Sequence, residues 1–232
     1  MKVIEEETVL AALRRDLLQA MTMLEREGII DFNGHFSARL PDGRGLLINA
    51  ADSVRSRLRP EDFIAIDFEG RPLEGTRGPP MEFHIHAQIY HARPDAQAVV
   101  HTHPCWSTVL TTVGQGFAPV TMQAAVLGAV PTFPKTASIN TAELGRELAA
   151  SLGDSSAALL KAHGAVVAAA SVEGAFVRAV YLEENAHRHY LALQIGEPQV
   201  LDAEECAVIS RNLSRPHLLR KVWDYYHGKY FG

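Results

Sequence analysis

Residues 97–104 read Gln-Ala-Val-Val-His-Thr-His-Pro, an apolar run that ends in two histidines and a proline. The run predicts a strand over residues 97–102, and Pro104, which lacks a backbone donor, helps to end it. Because strand side chains alternate between faces, His101 and His103 share one face, roughly 6.5 to 7 Å apart along the chain. Two imidazoles there are well placed to bind one cation. Two polar residues on a half-exposed strand edge would give the same pattern, so the motif alone leaves both interpretations open.

Two features elsewhere in the chain favour the metal interpretation. His163 follows the predicted strand 157–161, and the glycine after it permits a tight turn. Glu82 begins a predicted helix upstream of the His-x-His strand. Three histidines and one carboxylate are a recurring ligand set of catalytic divalent metals, with coordination positions left open to substrate or water.

The other histidines have weaker sequence support. His84 and His86 diverge by about 200° on a helix and cannot share a ligand face. His86 lies one helical turn after Glu82, so it either orients that carboxylate or is a polar residue at the helix surface or core edge. His187 and His189 lie in a polar helical segment and are expected to be solvated or at a subunit contact. The remaining histidines without supporting context are His91, His217 and His227.

Composition narrows the class of protein. The 232 residues carry a net charge of −5, 47% are hydrophobic and 21% are charged, as in ordinary globular domains. The longest uncharged apolar stretch, residues 164–172, is far shorter than the roughly 20 residues of a membrane span. Acidic residues near the start argue against a signal peptide, two cysteines form no disulfide framework, and no Lys/Arg block favours nucleic acid. We therefore expect one cytoplasmic domain over residues 1–232, with no membrane or nucleic-acid partner.

Periodicity and turn signals predict strands that alternate with helices, which is typical of an α/β layered domain. Asn140, with Glu143 three residues later, is the expected cap of one helix. The predicted helices cover 9–24, 82–93, 140–152, 171–196, a segment from 202, and 216–226, and the predicted strands cover 36–40, 45–49, 63–68, 97–102, 157–161 and 166–170.

Together these stretches resemble the class II aldolase/adducin family of metal-dependent sugar-phosphate aldolases, epimerases and decarboxylases. The resemblance rests on residues 34–39 (Gly-His-Phe-Ser-Ala-Arg), 82–90, 93–104 and 159–164 (Leu-Leu-Lys-Ala-His-Gly), in the family's order and approximate spacing. It implies a three-layer α/β/α domain around a mixed, largely antiparallel sheet, and a homotetramer with active sites between subunits.

The resemblance also assigns site residues. One divalent metal ion per subunit, with Zn, Mn, Co and Fe not distinguished, is assigned to Glu82, His101, His103 and His163. Glu82 matches the carboxylate that either binds the metal in the resting enzyme or moves away from it to act as the catalytic acid/base. The adducin branch, a cytoskeletal one, lacks this metal set. Because the present chain keeps all four residues, a catalytic member is expected rather than an interaction module with a vestigial site.

Departures from the family pattern concern the phosphate group of the substrate. Where family aldolases hold phosphate with an Asn, a Thr-Gly pair and two serines, this chain has His35, Ala51-Asp52 and Pro80-Met81. Phosphate is bound by backbone amides, hydroxyls or cations, whereas proline lacks an amide donor and methionine a hydroxyl. Asp52 would repel a dianion. The sequence therefore favours an unphosphorylated small-molecule substrate.

The Gly-His-x-Ser-x-Arg and Glu-x-x-x-His patterns resemble the branch that contains decarboxylases of hydroxymethylpyridine-dicarboxylate and dihydroxyphthalate. The resemblance implies a metal-dependent carboxy-lyase for a hydroxylated, aromatic or heteroaromatic carboxylate, with loss of CO₂ leaving a metal-stabilised enolate. An aldolase acting on a small hydroxy-keto acid, or on a sugar phosphate, is the alternative.

Several residues around these motifs leave two roles open. His35 either contacts the anionic group of the substrate, as a cation or donor, or structures a loop. Arg39 is expected to fix that loop through an ion pair. Lys161 faces the site or extends to solvent. Tyr225 or Tyr226 either closes the pocket of a neighbouring subunit or packs in the core.

Overall fold

A seven-stranded sheet forms the centre of the protein, whose computed structural model describes residues 2–232, with side chains from residue 7 onward. The sheet has the order β3-β2-β1-β4-β7-β6-β5. Neighbouring strands are antiparallel except β5 and β6, which are parallel, so the expected mixed, largely antiparallel sheet is confirmed. The strands are β1 (His35–Arg39), β2 (Gly45–Asn49), β3 (Phe63–Asp67), β4 (Ala98–Thr102), β5 (Thr132–Phe133), β6 (Ala157–Leu160) and β7 (Gly164–Ala169).

Helices cover both faces of this sheet and complete the expected three layers. Leu17, Phe176 and Trp223, from α1, α5 and α7, pack in one core with Val100 of β4. Residues of α2 and α4 pack in a second core with Val99 of the same strand. The helices are α1 (Lys2–Arg26), α2 (Phe83–Ala92), α3 (Cys105–Thr112), α4 (Ala142–Leu152), α5 (Val172–Ile195), α6 (Ala203–Leu213) and α7 (Pro216–Phe231).

Strand alternation decides on which face the histidines lie. Val99 and His101 point to the same side of β4, and Val99 packs in the core formed by α2 and α4. In the pairing of β1 with β4, His35 is directly opposite His101. The layer between the sheet and α2 therefore receives histidines from two neighbouring strands.

Most predicted elements are present, with local differences. The cap of α4 is Thr141 rather than Asn140, because the Thr141 hydroxyl accepts the amide of Leu144 at 3.2 Å. Helix α3 was not predicted, and α7 continues to Phe231 instead of ending at Tyr226. No helix within residues 2–232 has both the length and the apolar character that a membrane crossing requires.

Candidate metal centre

Four side chains from separate elements converge beside the carboxyl end of β4. His101 lies on β4, His103 follows it, His163 lies in the turn between β6 and β7, and Glu82 immediately precedes α2. One donor atom from each residue lies within 4.8 Å of all the others. The Nε2 atoms of His101 and His163 are 3.5 and 3.6 Å from the Glu82 carboxylate oxygens. The structure thus brings together all four residues that the sequence analysis selected.

The turn that carries His163 depends on an unusual local backbone. Ala162 has a positive φ of 52°, a conformation that residues with a side chain rarely adopt. A Cβ atom at Gly164 would lie only 2.2 Å from the carbonyl oxygen of Thr102. The tight turn expected here is present, because Leu160 pairs with Gly164 across it, but the glycine does not supply its left-handed residue. The left-handed residue is Ala162, and the glycine permits β7 to approach β4 between two of the histidines.

Backbone and side-chain contacts orient the histidine rings. His101 Nδ1 lies 3.0 Å from the carbonyl oxygen of Ala165. Because a carbonyl only accepts, Nδ1 carries the proton and Nε2 presents its lone pair to the cluster. His103 Nδ1 is 3.8 Å from the Asp31 carboxylate. Burial, with His101 and His163 nearby, lowers the pKa of His103 to about 4, so this ring is neutral at pH 7 and able to bind a metal.

Glu82 is held by a loop that the sequence analysis missed. Its Oε1 atom accepts the amide of Ile139 at 2.7 Å and the hydroxyl of Ser138 at 3.0 Å. Burial acts to raise the pKa of Glu82, but His101, His163 and the Ile139 amide outweigh it and hold this pKa well below its usual range. Glu82 is therefore an ionised carboxylate in the middle of the cluster.

His35 and His86 form a second, fully buried pair next to the cluster. His35 is the first residue of β1 rather than part of a loop, and its Nδ1 is 2.6 Å from Nε2 of His86. His86 is buried and contacts Ser37 instead of Glu82, so it does not bind that carboxylate directly, and of the alternatives it lies at the edge of the core rather than at the helix surface. Burial, with other histidines nearby, lowers the pKa of His35 well below its usual value and that of His86 to about 3. Both rings are neutral, and His35 can act as a donor but not as a cation.

Other expected roles are also corrected by the structure. Arg39 makes no ion pair with any described side chain; its guanidinium donates to the carbonyl oxygens of Tyr90, Arg93 and Ala96. His189 is buried, at 4% exposure, rather than solvated. His187 stacks on Trp106 at 4.2 Å between ring centroids.

The exposure of Lys161, Tyr225 and Tyr226 decides between the roles that the sequence left open for them. Lys161 is exposed. Tyr226 packs in the core beside Phe176, whereas Tyr225 is 64% exposed. Core packing is therefore the role of Tyr226 within this chain.

The donor set fits one divalent metal ion. Neutral imidazoles and an ionised carboxylate are the protonation states that metal binding requires. His163 Nδ1 is buried without a hydrogen-bond partner among residues 7–232, so a metal ion at Nε2 would itself fix the orientation of this ring. Three nitrogens and a carboxylate suit Zn, Mn, Co or Fe and do not single out one of them.

Residues 15–190 match the sequence family described as class II aldolase and adducin N-terminal domain. The fold and the cluster define a metal-dependent enzyme of the lyase type, and the chain belongs to the class II aldolase/adducin family.

Three similar proteins illustrate the range of this family. The 5-methylthioribulose-1-phosphate/5-deoxyribulose-1-phosphate aldolase of Rhodospirillum rubrum is 36% identical over 84% of this chain and 87% of its own. The 3,4-dihydroxyphthalate decarboxylase of Arthrobacter keyseri is 30% identical over 80% of this chain and 79% of its own. The structure of an aldolase II superfamily protein from Pseudomonas syringae superposes with a TM-score of 0.83, at 24% identity, covering 94% and 92% of the two chains, and so supports the fold.

Proposed function

We propose that the protein is a divalent-metal-dependent carboxy-lyase that removes CO₂ from an unphosphorylated, hydroxylated aromatic or heteroaromatic carboxylate. The observation that carries this proposal is the chemistry of the two residues directly before Glu82. Pro80 and Met81 replace the hydroxyl groups that the family resemblance places there. Met81 is 72% exposed, and a thioether makes favourable contacts with aromatic rings.

A neighbouring loop supports the same substrate class. The amide of Ala51 donates to the carbonyl oxygen of Gly78 at 3.0 Å, which joins the loop of Asp52 to the segment before Glu82. Asp52 pairs with Arg77 at 2.7 Å, so this arginine is already engaged by a carboxylate. A phosphate dianion would have to displace that carboxylate.

Each residue of the site has a defined task in this reaction. Glu82, His101, His103 and His163 hold the metal. A divalent cation bound there polarises substrate oxygens and stabilises the negative charge left when CO₂ departs. Ionised Glu82 accepts the proton of the substrate hydroxyl group and returns it to the carbon that loses CO₂. His35 donates a hydrogen bond to the anionic group of the substrate.

The test is CO₂ release by the metal-loaded protein from dihydroxyphthalates, hydroxypyridine dicarboxylates and aliphatic hydroxy-keto acids. Release from an aromatic dicarboxylate is the expected result. The variants His101→Ala and His103→Ala are expected to remain soluble and to lose both metal and activity. CO₂ release at the full rate by the metal-free double variant would contradict the proposal.

The second candidate function is an aldolase. It is favoured by the 36% identity to an enzyme named as an aldolase of 5-deoxyribulose 1-phosphate. Aldehyde formation from a hydroxy-keto acid or a ketose phosphate, without CO₂, would support this candidate over the decarboxylase. The homotetramer and the cytoplasmic location remain predictions, and light scattering of the purified protein tests the first.

A further inference from the structure

Two polar stripes face each other between β1 and α2. Every second residue of the strand contacts every fourth residue along α2 and its N-terminal end. Two strand residues advance about 6.6 Å and four helical residues about 6 Å, so the three facing pairs stay in register. The strand stripe consists of His35, Ser37 and Arg39, and the helix stripe of Glu82, His86 and Tyr90.

Short hydrogen bonds connect these stripes in one chain. Tyr90 Oη lies 2.8 Å from Ser37 Oγ, which lies 2.6 Å from His86 Nδ1. His86 Nε2 lies 2.6 Å from His35 Nδ1. All four side chains are at most 4% exposed. This chain of hydrogen bonds therefore runs from the core towards the metal cluster and ends at the ring of His35.

The last atom of the chain faces the cluster. His35 Nε2 lies 4.0 Å from Glu82 Oε2, and the ring centroids of His35 and His101 are 5.0 Å apart. Among residues 7–232, His35 Nε2 has no hydrogen-bond partner. A substrate oxygen next to Glu82 would be its natural partner.

The hydrogen bonds can have either of two directions. In the first, Tyr90 donates to Ser37, Ser37 to His86 Nδ1, and His86 Nε2–H to His35 Nδ1, which leaves the proton of His35 on Nε2. In the second, every bond is reversed, and His35 Nε2 presents a lone pair.

Two contacts decide between these directions. In the reversed chain Ser37 can donate to Tyr90 Oη, which leaves the buried hydroxyl proton of Tyr90 with no acceptor among the residues with described side chains. Its other acceptor, the carbonyl oxygen of Val99, is 3.4 Å away, against 2.6 Å for His86. The reversed chain also turns a nitrogen lone pair towards the ionised carboxylate of Glu82, whereas the forward chain turns an N–H towards it.

We propose that Ser37, His86 and Tyr90 act as positioning residues that hold His35 in the tautomer protonated on Nε2. His35 thereby offers a fixed, neutral N–H donor to a carboxylate or carbonyl oxygen of the substrate. This inference rests on the proposed function for the identity of the acceptor, but the tautomer itself is a property of the protein alone.

Tyr90, at the buried end of the hydrogen-bond chain, prevents His35 from acting as a proton donor to the substrate carbon. If His35 released its Nε2 proton, replacement through the chain would take the proton of Tyr90. Burial raises the pKa of Tyr90 far above its usual value, which makes a buried phenolate costly. His35 therefore donates a hydrogen bond and keeps its proton, and the proton that returns to carbon passes through Glu82.

A neutron crystal structure of the deuterated, metal-loaded protein tests the tautomer directly. The expected result is deuterium on Nε2 of both His35 and His86 and none on Nδ1 of either ring. Deuterium on Nδ1 of His35, alone or together with Nε2, would overturn the proposal. This measurement needs no substrate, so it is decided even if the protein proves not to be a decarboxylase.

A pair of variants at one position tests the consequence for catalysis. The amide nitrogen of Gln occupies nearly the place of histidine Nε2, whereas that of Asn reaches only the place of Nδ1. His86→Gln can still donate to His35 and should keep kcat/KM within about threefold. His86→Asn should lower kcat/KM about 10- to 100-fold, which is less than the removal of a donor costs because the ring of His35 stays in place. Both variants should retain full metal content.

Equal losses of kcat/KM in the two variants would show that the direction of the hydrogen bond does not matter and would overturn the proposal. Loss of metal in His86→Asn would assign His86 to the support of the metal site and would also overturn it. Absence of any lyase activity in the unchanged protein refutes the proposed function instead, and the neutron result then decides on the tautomer.

Discussion

Replacing Gly164 by alanine should separate two metal ligands by a predictable amount. The added Cβ would lie 2.2 Å from the carbonyl oxygen of Thr102 and 3.1 Å from Cδ2 of His103. Carbon–oxygen contacts settle at about 3.3 Å, so the start of β7 must retreat from β4 by about 1 Å. Overpacking of this kind costs about 1 to 3 kcal/mol of unfolding free energy. His163 precedes the altered residue and would move with it.

Displacement of a ligand should be visible in metal affinity as well as in stability. For Gly164→Ala we expect the metal dissociation constant to rise about 10- to 100-fold, as it does when the support of a ligand is lost. The assays are calorimetric metal titration and denaturant unfolding. Gly228→Ala in α7 is the matched control, because its Cβ meets no atom within 4 Å. Unchanged metal affinity in Gly164→Ala would refute the close-approach explanation.

Two further predictions concern acid stability and helix capping. The pKa of His86 is lowered to about 3, so below pH 6.5 the unfolded chain binds a proton that the folded chain does not. Stability present above pH 6.5 is lost as the pH falls towards 3, and at pH 5 this loss is about 2 kcal/mol. The variant His86→Gln should remove this loss of stability, as measured by urea unfolding at pH 7 and pH 5. If the variant loses as much stability between pH 7 and pH 5 as the unchanged protein, His86 is not its source. Glu183 accepts the amides of Trp106 and Ser107 at the start of α3, at 2.6 and 3.0 Å. Glu183→Gln should lower the unfolding free energy by about 1 kcal/mol at unchanged metal content, and a variant as stable as the unchanged protein would exclude this capping role.

The four residues of the proposed metal site could be selected from the sequence because each one is marked locally. His101 and His103 end an apolar strand, and His163 follows another. Strand periodicity fixed their common face without knowledge of the fold. Glu82 was recognised by its place before a helix and by family resemblance.

The contacts that orient those ligands were not predictable in the same way. Ser138 and Ile139 bind Glu82 from 56 and 57 residues further along the chain, in a loop without a strong pattern. The effect of Gly164 depends on the distance between β4 and β7, which only the assembled sheet defines. Long-range geometry, rather than local propensity, determines both.

The paired stripes of β1 and α2 carried a signal that could have been used. Polar residues recur at every second position from His35 and at every fourth position from Glu82. Each residue alone resembles a surface or loop residue, which is why the contacts of His86 with His35 and Ser37 were not predicted. Matching the advance of a strand with that of a helix would have suggested that the two stripes face each other.

The central claim is that Glu82, His101, His103 and His163 hold one divalent metal ion, and metal content per chain tests it most directly. After loading with Zn or Mn and removal of excess ion, elemental analysis should find about one ion per chain. The exposed-histidine variant His91→Ala should do the same. The double variant His101→Ala/His103→Ala should contain almost none while remaining folded by circular dichroism. A full ion retained by the double variant, or none bound by the unchanged protein, would contradict the account.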